Sequence, residues 1–279
     1  MILIQMIATQ LNATVDQILI GSLVASSAAI LAVYSVGTQV TQYFQSMGTA
    51  FTGVLMPGIV KMVESGVDSK TLTDEMIRIG RIILIVLGLI WGGFLACGQQ
   101  FITLWAGADN SNAYFVAVIL MTAYMFILTE SIGTQILWAM NQHKEQAILK
   151  GIIVLLNILL TVVLIKWQPL IGATIGTFIS LVLGDVVVMN VIFRKKLKMN
   201  LGYYYKGLTK GILPCIAVAT AVGFVARHFL KNGGWISLLL EVAIICLVYA
   251  VCILMFGMNT YEKNMVLSVL RKFKPRRNK

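Results

Sequence analysis

The stretch "MILIQMIATQLNATVDQILIGSLV", residues 1–24, decides the fold class because it is long, apolar and carries a single charged residue, Asp16. About 20 apolar residues in an α-helix match a hydrocarbon core roughly 30 Å thick. Further runs of similar length follow along the chain, so the sequence predicts about eight membrane-spanning helices. They cover residues 2–23, 31–56, 80–98, 113–136, 148–166, 170–193, 211–229 and 235–257.

The composition agrees with this interpretation. Hydrophobic residues make up 58% of the 279 positions, charged residues make up 12%, and the mean hydropathy is +0.87. These values are far from those of soluble domains. The runs also lack the ten-residue alternation of barrel strands, so we predict an all-α, polytopic membrane helix bundle.

The basic residues predict the topology. The chain carries 22 Lys and Arg residues and a net charge of +11, a surplus that would also suit a nucleic-acid-binding protein. If both termini face the cytoplasm, all but Lys166, Arg227 and Lys231 lie in cytoplasmic segments. This distribution follows the positive-inside rule, so we predict a multi-pass protein of the cytoplasmic membrane and no nucleic-acid partner. The basic tail would add attraction for anionic membrane lipids.

Asp16 is the first candidate functional residue, because a charge at the centre of a membrane helix costs roughly 2.5–3.5 kcal/mol on insertion scales. At helical spacing it shares a face with Gln5, Thr9 and Asn12. Such a row favours an acid that faces a hydrated cavity. The alternative is an acid near the end of its helix that hydrogen-bonds a neighbour and serves only packing.

A second polar row lies in "YSVGTQVTQYFQSMGTAFTGVLMP", residues 34–57. Its members recur at steps of three or four and are Ser35, Gln39, Gln42, Ser46, Thr49 and Gly53. Polar groups without partners in hydrocarbon cost several kcal/mol. The row therefore either lines a hydrated cavity or joins helices through hydrogen bonds. We expect Pro57 to end this helix.

Three further acids lie inside predicted helices. Glu130 shares a face with Thr134 and Asn141, although an acid so near the inner end also suits one that reaches toward the headgroups. Asp185 and Glu241 rank below Asp16. We expect no Lys or Arg inside the helices to pair with these acids, which favours neutral carboxyl groups or partners elsewhere. The candidate cavity residues are Asp16, Asn12, Gln39, Gln42 and Glu130, followed by Thr9, Ser46, Thr134 and Asp185.

Other features predict packing. The four cysteines lie in or at the ends of apolar runs without a CxxC pair or a neighbouring His, so we expect no metal, disulfide or cofactor. Small residues at every fourth position in "GATIGTFISLVLG", residues 172–184, predict close helix packing. The connection "MNLGYYYKGLTKG", residues 199–211, predicts an interfacial segment with its tyrosines at headgroup level.

Five segments, taken in order, carry a resemblance to a known family. They are "NATVDQILIGSLVASSAAILAVYSVGTQV" (12–40), "GVLMPGIVKMV" (53–63), "FITLWAGADNSNA" (101–113), "NQHKEQAILKGIIVLLNILLTVVLI" (141–165) and "IGATIGTFIS" (171–180). Their order and spacing resemble the C-terminal part of Wzx-like polysaccharide flippases, which belong to the multidrug/oligosaccharidyl-lipid/polysaccharide (MOP) exporter superfamily. Such proteins have two six-helix lobes, and some have a final helix pair.

The resemblance implies a division of the chain and a longer parent protein that also contains a first lobe. Residues 1–193 would form the second six-helix lobe, and residues 194–210 a basic, aromatic interfacial connection. Residues 211–257 would form an additional helix pair, and residues 258–279 a basic cytoplasmic tail.

The implied function is alternating access, in which two lobes rock around a hydrated cavity. The substrate would be an undecaprenyl-diphosphate-linked oligosaccharide that crosses the bacterial cytoplasmic membrane. The implied partners are this substrate, membrane lipids, H⁺ or Na⁺ coupled through Asp16, and the polysaccharide assembly machinery. Cations for the diphosphate would lie in the first lobe.

Other functions fit the same sequence. A drug or metabolite exporter of the superfamily and a lipid II-type flippase would share the fold. A membrane glycosyl- or acyltransferase and a membrane scaffold are the alternatives from other classes. The sequence has no metal-binding cluster, no paired acids in an exposed loop and no loop long enough for a catalytic domain, so we expect no enzyme.

Overall fold

The computed structural model describes residues 2–24, 27–140, 142–230 and 233–264, and the regular elements in these ranges are all helical. In chain order the helices are α1 (Ile2–Leu23), α2 (Ser27–Glu64), α3 (Ser69–Ala106), α4 (Ala113–Thr129), α5 (Ser131–Ala139), α6 (His143–Leu164), α7 (Pro169–Leu181), α8 (Met189–Lys196), α9 (Leu201–Thr209), α10 (Ile212–Phe229) and α11 (Trp235–Cys252). A π-helical turn (Val182–Val188) joins α7 to α8, and another (Ile253–Gly257) follows α11.

If the short α9 is left out, the described ranges contain eight long helical segments. The pair α4 and α5 counts as one segment with a 43° bend, and α7 counts as one segment with α8, into which it continues through the π-helical turn. Five of the described helices are long and apolar enough to cross a membrane, and the bent pair makes a sixth. The helices α1 and α2 are not among the six. The predicted all-α polytopic membrane bundle is confirmed.

The helices α2 and α3 extend beyond their predicted spans. α2 runs through Pro57 to Glu64, so the prediction that Pro57 ends this helix is wrong. A proline removes one backbone hydrogen bond, but the helix can continue beyond it. α3 begins after Asp68, which accepts hydrogen bonds from the backbone N–H and the hydroxyl of Thr71. The hydroxyl bond is the main cause that holds the pKa of Asp68 below its usual value.

The helices α6 and α7 pack closely along the predicted row of small residues. A Cβ added to Gly172 would lie 2.3 Å from the carbonyl oxygen of Leu164, and one added to Gly176 would lie 2.6 Å from Oγ1 of Thr161. Both distances are shorter than real Cβ contacts, so these positions require glycine. The predicted packing is confirmed, and it brings the polar side chains of α6 and α7 together.

The final helices α10 and α11 pack against α3. A Cβ added to Gly88 of α3 would lie 2.4 Å from Cδ1 of Ile216 on α10. The hydroxyl of Tyr249 on α11 donates a 2.8 Å hydrogen bond to the carbonyl oxygen of Ile85. Because α3 also belongs to the main hydrophobic core, the pair is anchored directly to the preceding bundle.

A buried arginine ties the ends of these helices together. Arg81 of α3 is 5% exposed, and its Nε donates to Glu262 at 2.6 Å. Its remaining nitrogens donate to the carbonyl oxygens of Gly207, Lys210 and Gly257. The guanidinium therefore links α3 to the connection after α9 and to the segment after α11.

All four cysteines are free. Cys97 and Cys215 are buried and each donates to the carbonyl oxygen four residues earlier in its helix, in agreement with a packing role. Cys246 is exposed on α11. The predicted tail from position 265 onward and Lys231 lie outside the described residues.

Candidate functional site

A polar cleft lies between α1, α2, α4, α5, α6, α7 and the first π-helical turn. Its first part, the Asp16 pocket, measures about 230 Å³. The polar residues that line it are Asn12, Asp16, Tyr34, Thr38, Thr41, Gln42, Gln45, Tyr124, Lys150, Thr177 and Asp185.

The second part of the cleft, the Glu130 pocket, measures about 260 Å³. The polar residues there are Gln45, Thr49, Tyr124, Glu130, Ser131, Thr134, Gln135, Trp138, Gln146, Lys150 and Asp185. The pockets adjoin because Gln45, Tyr124, Lys150 and Asp185 line both.

Hydroxyl groups from three helices surround Asp16, which is only 2% exposed. Tyr34 of α2 donates to Oδ2 at 2.7 Å, and Thr177 of α7 donates to the same oxygen. Thr161 of α6 donates to Oδ1 at 3.1 Å. Both carboxylate oxygens therefore have donors, and the acid joins four helices, counting its own.

An asparagine extends this cluster. Asn157 is fully buried, and its Nδ2 donates to Oδ1 of Asn12 at 3.0 Å. Its own Oδ1 lies 3.0 Å from the hydroxyl oxygen of Thr161 and 3.2 Å from that of Thr177. Each hydroxyl has one hydrogen, so it donates either to Asp16 or to Asn157. The two threonine hydroxyls are therefore shared between the Asp16 carboxylate and the Asn157 amide oxygen.

The local sequence explains how the donors converge. Asn157 and Thr161 are four residues apart and lie on one face of α6. The close approach at Gly176 brings the backbone of Thr161 against α7, next to Thr177. Any side chain at position 176 would separate the two threonines.

An ion pair lies where the two pockets meet. Nζ of Lys150 on α6 is 2.5 Å from Oδ1 of Asp185 in the π-helical turn. The Lys150 side chain is 28% exposed and that of Asp185 is 7% exposed. The expectation that no Lys or Arg pairs with these acids is therefore wrong for Asp185, because Lys150 of α6 reaches across to the turn. π-helical turns are frequent at functional sites.

Glu130 occupies the break between α4 and α5. The break leaves the carbonyl oxygen of Thr129 to accept a 2.9 Å hydrogen bond from the hydroxyl of Tyr204. Oε1 of Glu130 accepts from the hydroxyl of Tyr205 and from Nδ2 of Asn190, the latter at 3.0 Å. Oε2 is buried and has no hydrogen-bond partner among the described residues.

The helix α9 supplies the two tyrosine donors at the break, Tyr204 and Tyr205. Tyr203 is exposed and donates to Asp74, as expected for a residue at the surface. Tyr204 is fully buried, and Tyr205 points toward Glu130. Two of the three tyrosines therefore hold the helix break through their hydroxyl groups.

The structure places most of the candidate residues on the cleft. Those that line it are Asp16, Asn12, Gln42, Glu130, Thr134 and Asp185. Gln39 and Ser46 line neither pocket, and the Ser46 hydroxyl donates to the carbonyl oxygen of Gln42 on its own helix. The side chain of Thr9 and the whole of Asn141 lie outside the described residues. Glu241 is buried in α11 away from the cleft, and neither of its oxygens has a partner in the described part of the chain.

Sequence reasoning missed several lining residues. On α2 the row that faces the cleft is Thr38, Thr41, Gln42, Gln45 and Thr49. It is rotated from the predicted row, although its members follow the same helical spacing. Asn157, Thr161 and Thr177 were missed as isolated polar residues in very apolar runs, and the i, i+4 spacing of the first two was a usable signal.

Comparison with known proteins finds no match, since no family model, curated protein or solved structure is similar to this chain. The chemistry of the cleft is therefore the main guide to function. In the described ranges, no three His, Cys, Asp or Glu side chains form a group that could hold a metal ion.

Proposed function

We propose that this chain forms the cavity-bearing part of a membrane transporter that moves a polyprenyl-diphosphate-linked oligosaccharide across the bacterial cytoplasmic membrane by alternating access. The observation that carries the proposal is the polar cleft, with three buried acids and a lysine, inside a bundle of apolar helices. Intramembrane ionisable groups usually mark substrate or ion pathways. A sugar-diphosphate head needs such a hydrated path, whereas its polyprenyl tail can remain in lipid.

Lys150 supports an anionic substrate. It lines both pockets, and only Asp185 balances its charge within the described residues. A diphosphate that enters the cleft can take the place of the Asp185 carboxylate, because both present oxygens to an ammonium donor. The resemblance places the cations for the diphosphate in the first lobe, and Lys150 adds one in this part.

The Asp16 cluster supports coupling to an ion. The donors to Asp16 in the described part of the chain are all neutral, so a proton or Na⁺ that binds there changes the net charge of a site shared by four helices. A change of charge that alters helix–helix hydrogen bonds is a direct way to bias one conformation over another. Asp16 is therefore the proposed coupling residue.

The test measures glycan export in a strain that lacks its own lipid-linked-oligosaccharide flippase, with this chain expressed in its full-length protein. Lys150→Gln should reduce surface glycan at least about tenfold at matched membrane levels. A hydrogen bond to a charged group contributes about 1.5–3 kcal/mol, and about 1.4 kcal/mol corresponds to a factor of ten. The matched control is Lys166→Gln, an exposed lysine just after the same helix.

A second variant separates binding from folding. Lys150→Gln leaves Asp185 buried without its partner, so the double variant Lys150→Gln/Asp185→Asn removes both charges together. It should reach the membrane at normal levels and still fail to export. Export equal to wild type by this double variant would contradict the role of Lys150. Wild-type protein that confers drug resistance and exports no glycan would identify the alternative, a drug exporter.

A further inference from the structure

The Glu130 pocket contains an acid whose hydrogen-bonding capacity is half used. Glu130 is 2% exposed, and both donors that reach it, Tyr205 and Asn190, bind Oε1. Oε2 is buried without a partner in the described part of the chain. A buried acceptor without a partner costs about 1–3 kcal/mol, and more when charged. The site therefore has a strong preference for a ligand that supplies a donor.

The carboxylate is held in a fixed orientation. Nδ2 of Asn190 also contacts the carbonyl oxygen of Val186 at 2.9 Å and the hydroxyl oxygen of Tyr205 at 2.8 Å, so the two donors form one network. Tyr204 fixes the adjoining break through its hydrogen bond to Thr129. A group that is oriented before its ligand arrives loses little entropy on binding.

Protonation alone does not satisfy this site. A proton on Oε2 would turn this oxygen into an O–H donor, and the new donor would still have no hydrogen-bond partner among the described residues. Glu130 lines a pocket whose volume of about 260 Å³ far exceeds the roughly 30 Å³ that one water takes up in the liquid. The pocket therefore has room for a larger group that carries hydroxyls.

The other lining residues suit a sugar. Thr134 and Gln135 present a hydroxyl and an amide group, and Trp138 supplies an aromatic ring whose Nε1 donates to the buried Gln146. Mixed polar and aromatic linings bind ligands with several hydroxyls and an apolar ring face. A carboxylate oxygen is a strong acceptor for a sugar hydroxyl.

We propose that the Glu130 pocket binds the first sugar of the lipid-linked oligosaccharide, with Oε2 of Glu130 accepting a hydrogen bond from a sugar hydroxyl. This inference rests on the proposed function. Lys150 lines the Glu130 pocket as well as the Asp16 pocket, so a diphosphate at Lys150 has its attached sugar beside Glu130.

Calorimetric binding to the chain in lipid nanodiscs tests the proposal with two kinds of probe. One is farnesyl diphosphate, and the other is a set of farnesyl-diphosphate-linked glucose, galactose and N-acetylglucosamine. At least one sugar-bearing probe should bind wild type about tenfold or more tightly than farnesyl diphosphate, which corresponds to about 1.4 kcal/mol. Glu130→Gln should remove this advantage and leave the Kd of farnesyl diphosphate unchanged, because the amide keeps an oxygen for Tyr205 and Asn190.

Two further variants control the experiment. Glu241→Gln changes another buried acid with unpartnered oxygens, far from the cleft, and should leave every Kd unchanged. Thr134→Val removes a pocket hydroxyl without altering the break at Glu130, and should reduce the sugar advantage at least about threefold. It keeps the test decisive if Glu130→Gln does not fold.

The outcomes separate the two proposals. Farnesyl diphosphate that binds without any sugar advantage, or an advantage that survives Glu130→Gln, overturns the sugar site alone. No binding of any probe overturns the proposed substrate and the sugar site together. Sugar-bearing probes that bind through Glu130 while farnesyl diphosphate does not bind support the sugar site and contradict the role of Lys150.

Discussion

The Asp16 and Glu130 pockets place two buried acids on one cleft, but the acids differ in how their oxygens are satisfied. Both oxygens of Asp16 accept hydrogen bonds from hydroxyls on three other helices. Among the described residues, Glu130 has donors on Oε1 only. A fully satisfied acid contributes to the stability of the helices that it joins, whereas a partly satisfied acid retains capacity for a ligand. The first acid should therefore affect folding strongly, and the second should affect binding.

The largest effect on stability should follow from Asp16→Leu. This change removes three hydrogen bonds. It leaves the buried Tyr34 hydroxyl without its acceptor, at about 1–3 kcal/mol, and leaves Thr161 and Thr177 with Asn157 as their shared acceptor. We expect the free energy of unfolding, measured in detergent micelles, to fall by roughly 3 kcal/mol or more. Asp16→Asn should lose about 1 kcal/mol, because its carbonyl oxygen still accepts.

The comparison of the two acids predicts only a small change in stability at Glu130. Glu130→Gln should change the free energy of unfolding by less than about 0.5 kcal/mol, because the amide oxygen still accepts from Tyr205 and Asn190. An equal loss of stability from Asp16→Asn and Glu130→Gln would break the distinction between the two acids. In export assays, Asp16→Asn should also remove the dependence on a proton or sodium gradient, and Glu130→Gln should keep it.

A glycine substitution should have the next largest effect, and it acts on the Asp16 cluster alone. Gly176→Ala places a Cβ 2.6 Å from Oγ1 of Thr161 and 3.0 Å from its backbone nitrogen. Overpacking of this kind costs about 1–3 kcal/mol. The control is Gly151→Ala on α6, where no atom lies within 4 Å of the added Cβ. Equal thermal stability of the two variants would contradict the close contact of α6 and α7.

A smaller loss of stability than that of Gly176→Ala should come from the tyrosines of α9. Tyr205→Phe removes one donor to Glu130 and should lower the free energy of unfolding by about 1 kcal/mol. Tyr203→Phe removes an exposed hydrogen bond to Asp74 and should have almost no effect. Amide hydrogen exchange of residues 201–209 measures the difference directly. Faster exchange in Tyr203→Phe than in Tyr205→Phe would show that α9 is held at the surface and not at the helix break.

The sequence by itself determined the class of protein and the positions of most helices. Apolar runs of about 20 residues leave little choice in a membrane, because each backbone N–H and C=O must be satisfied within the segment. Asp16 and Glu130 were identifiable for a related reason, since a charge in such a run needs an explanation. The small-residue row of α7 was equally readable, because close helix packing requires that spacing.

Only the tertiary structure decided which partners these acids have. Lys150 and Asp185 are far apart in the sequence and meet across two helices, as do Asp16 and Thr177. Helical spacing shows which residues share a face, but it does not show which face turns toward protein, and the cleft-facing row of α2 was misplaced for this reason. In a soluble protein, hydropathy distinguishes the inside from the outside. Lipid is as apolar as a protein interior, so in this bundle the orientation of each helix depends on packing and hydrogen bonds between helices.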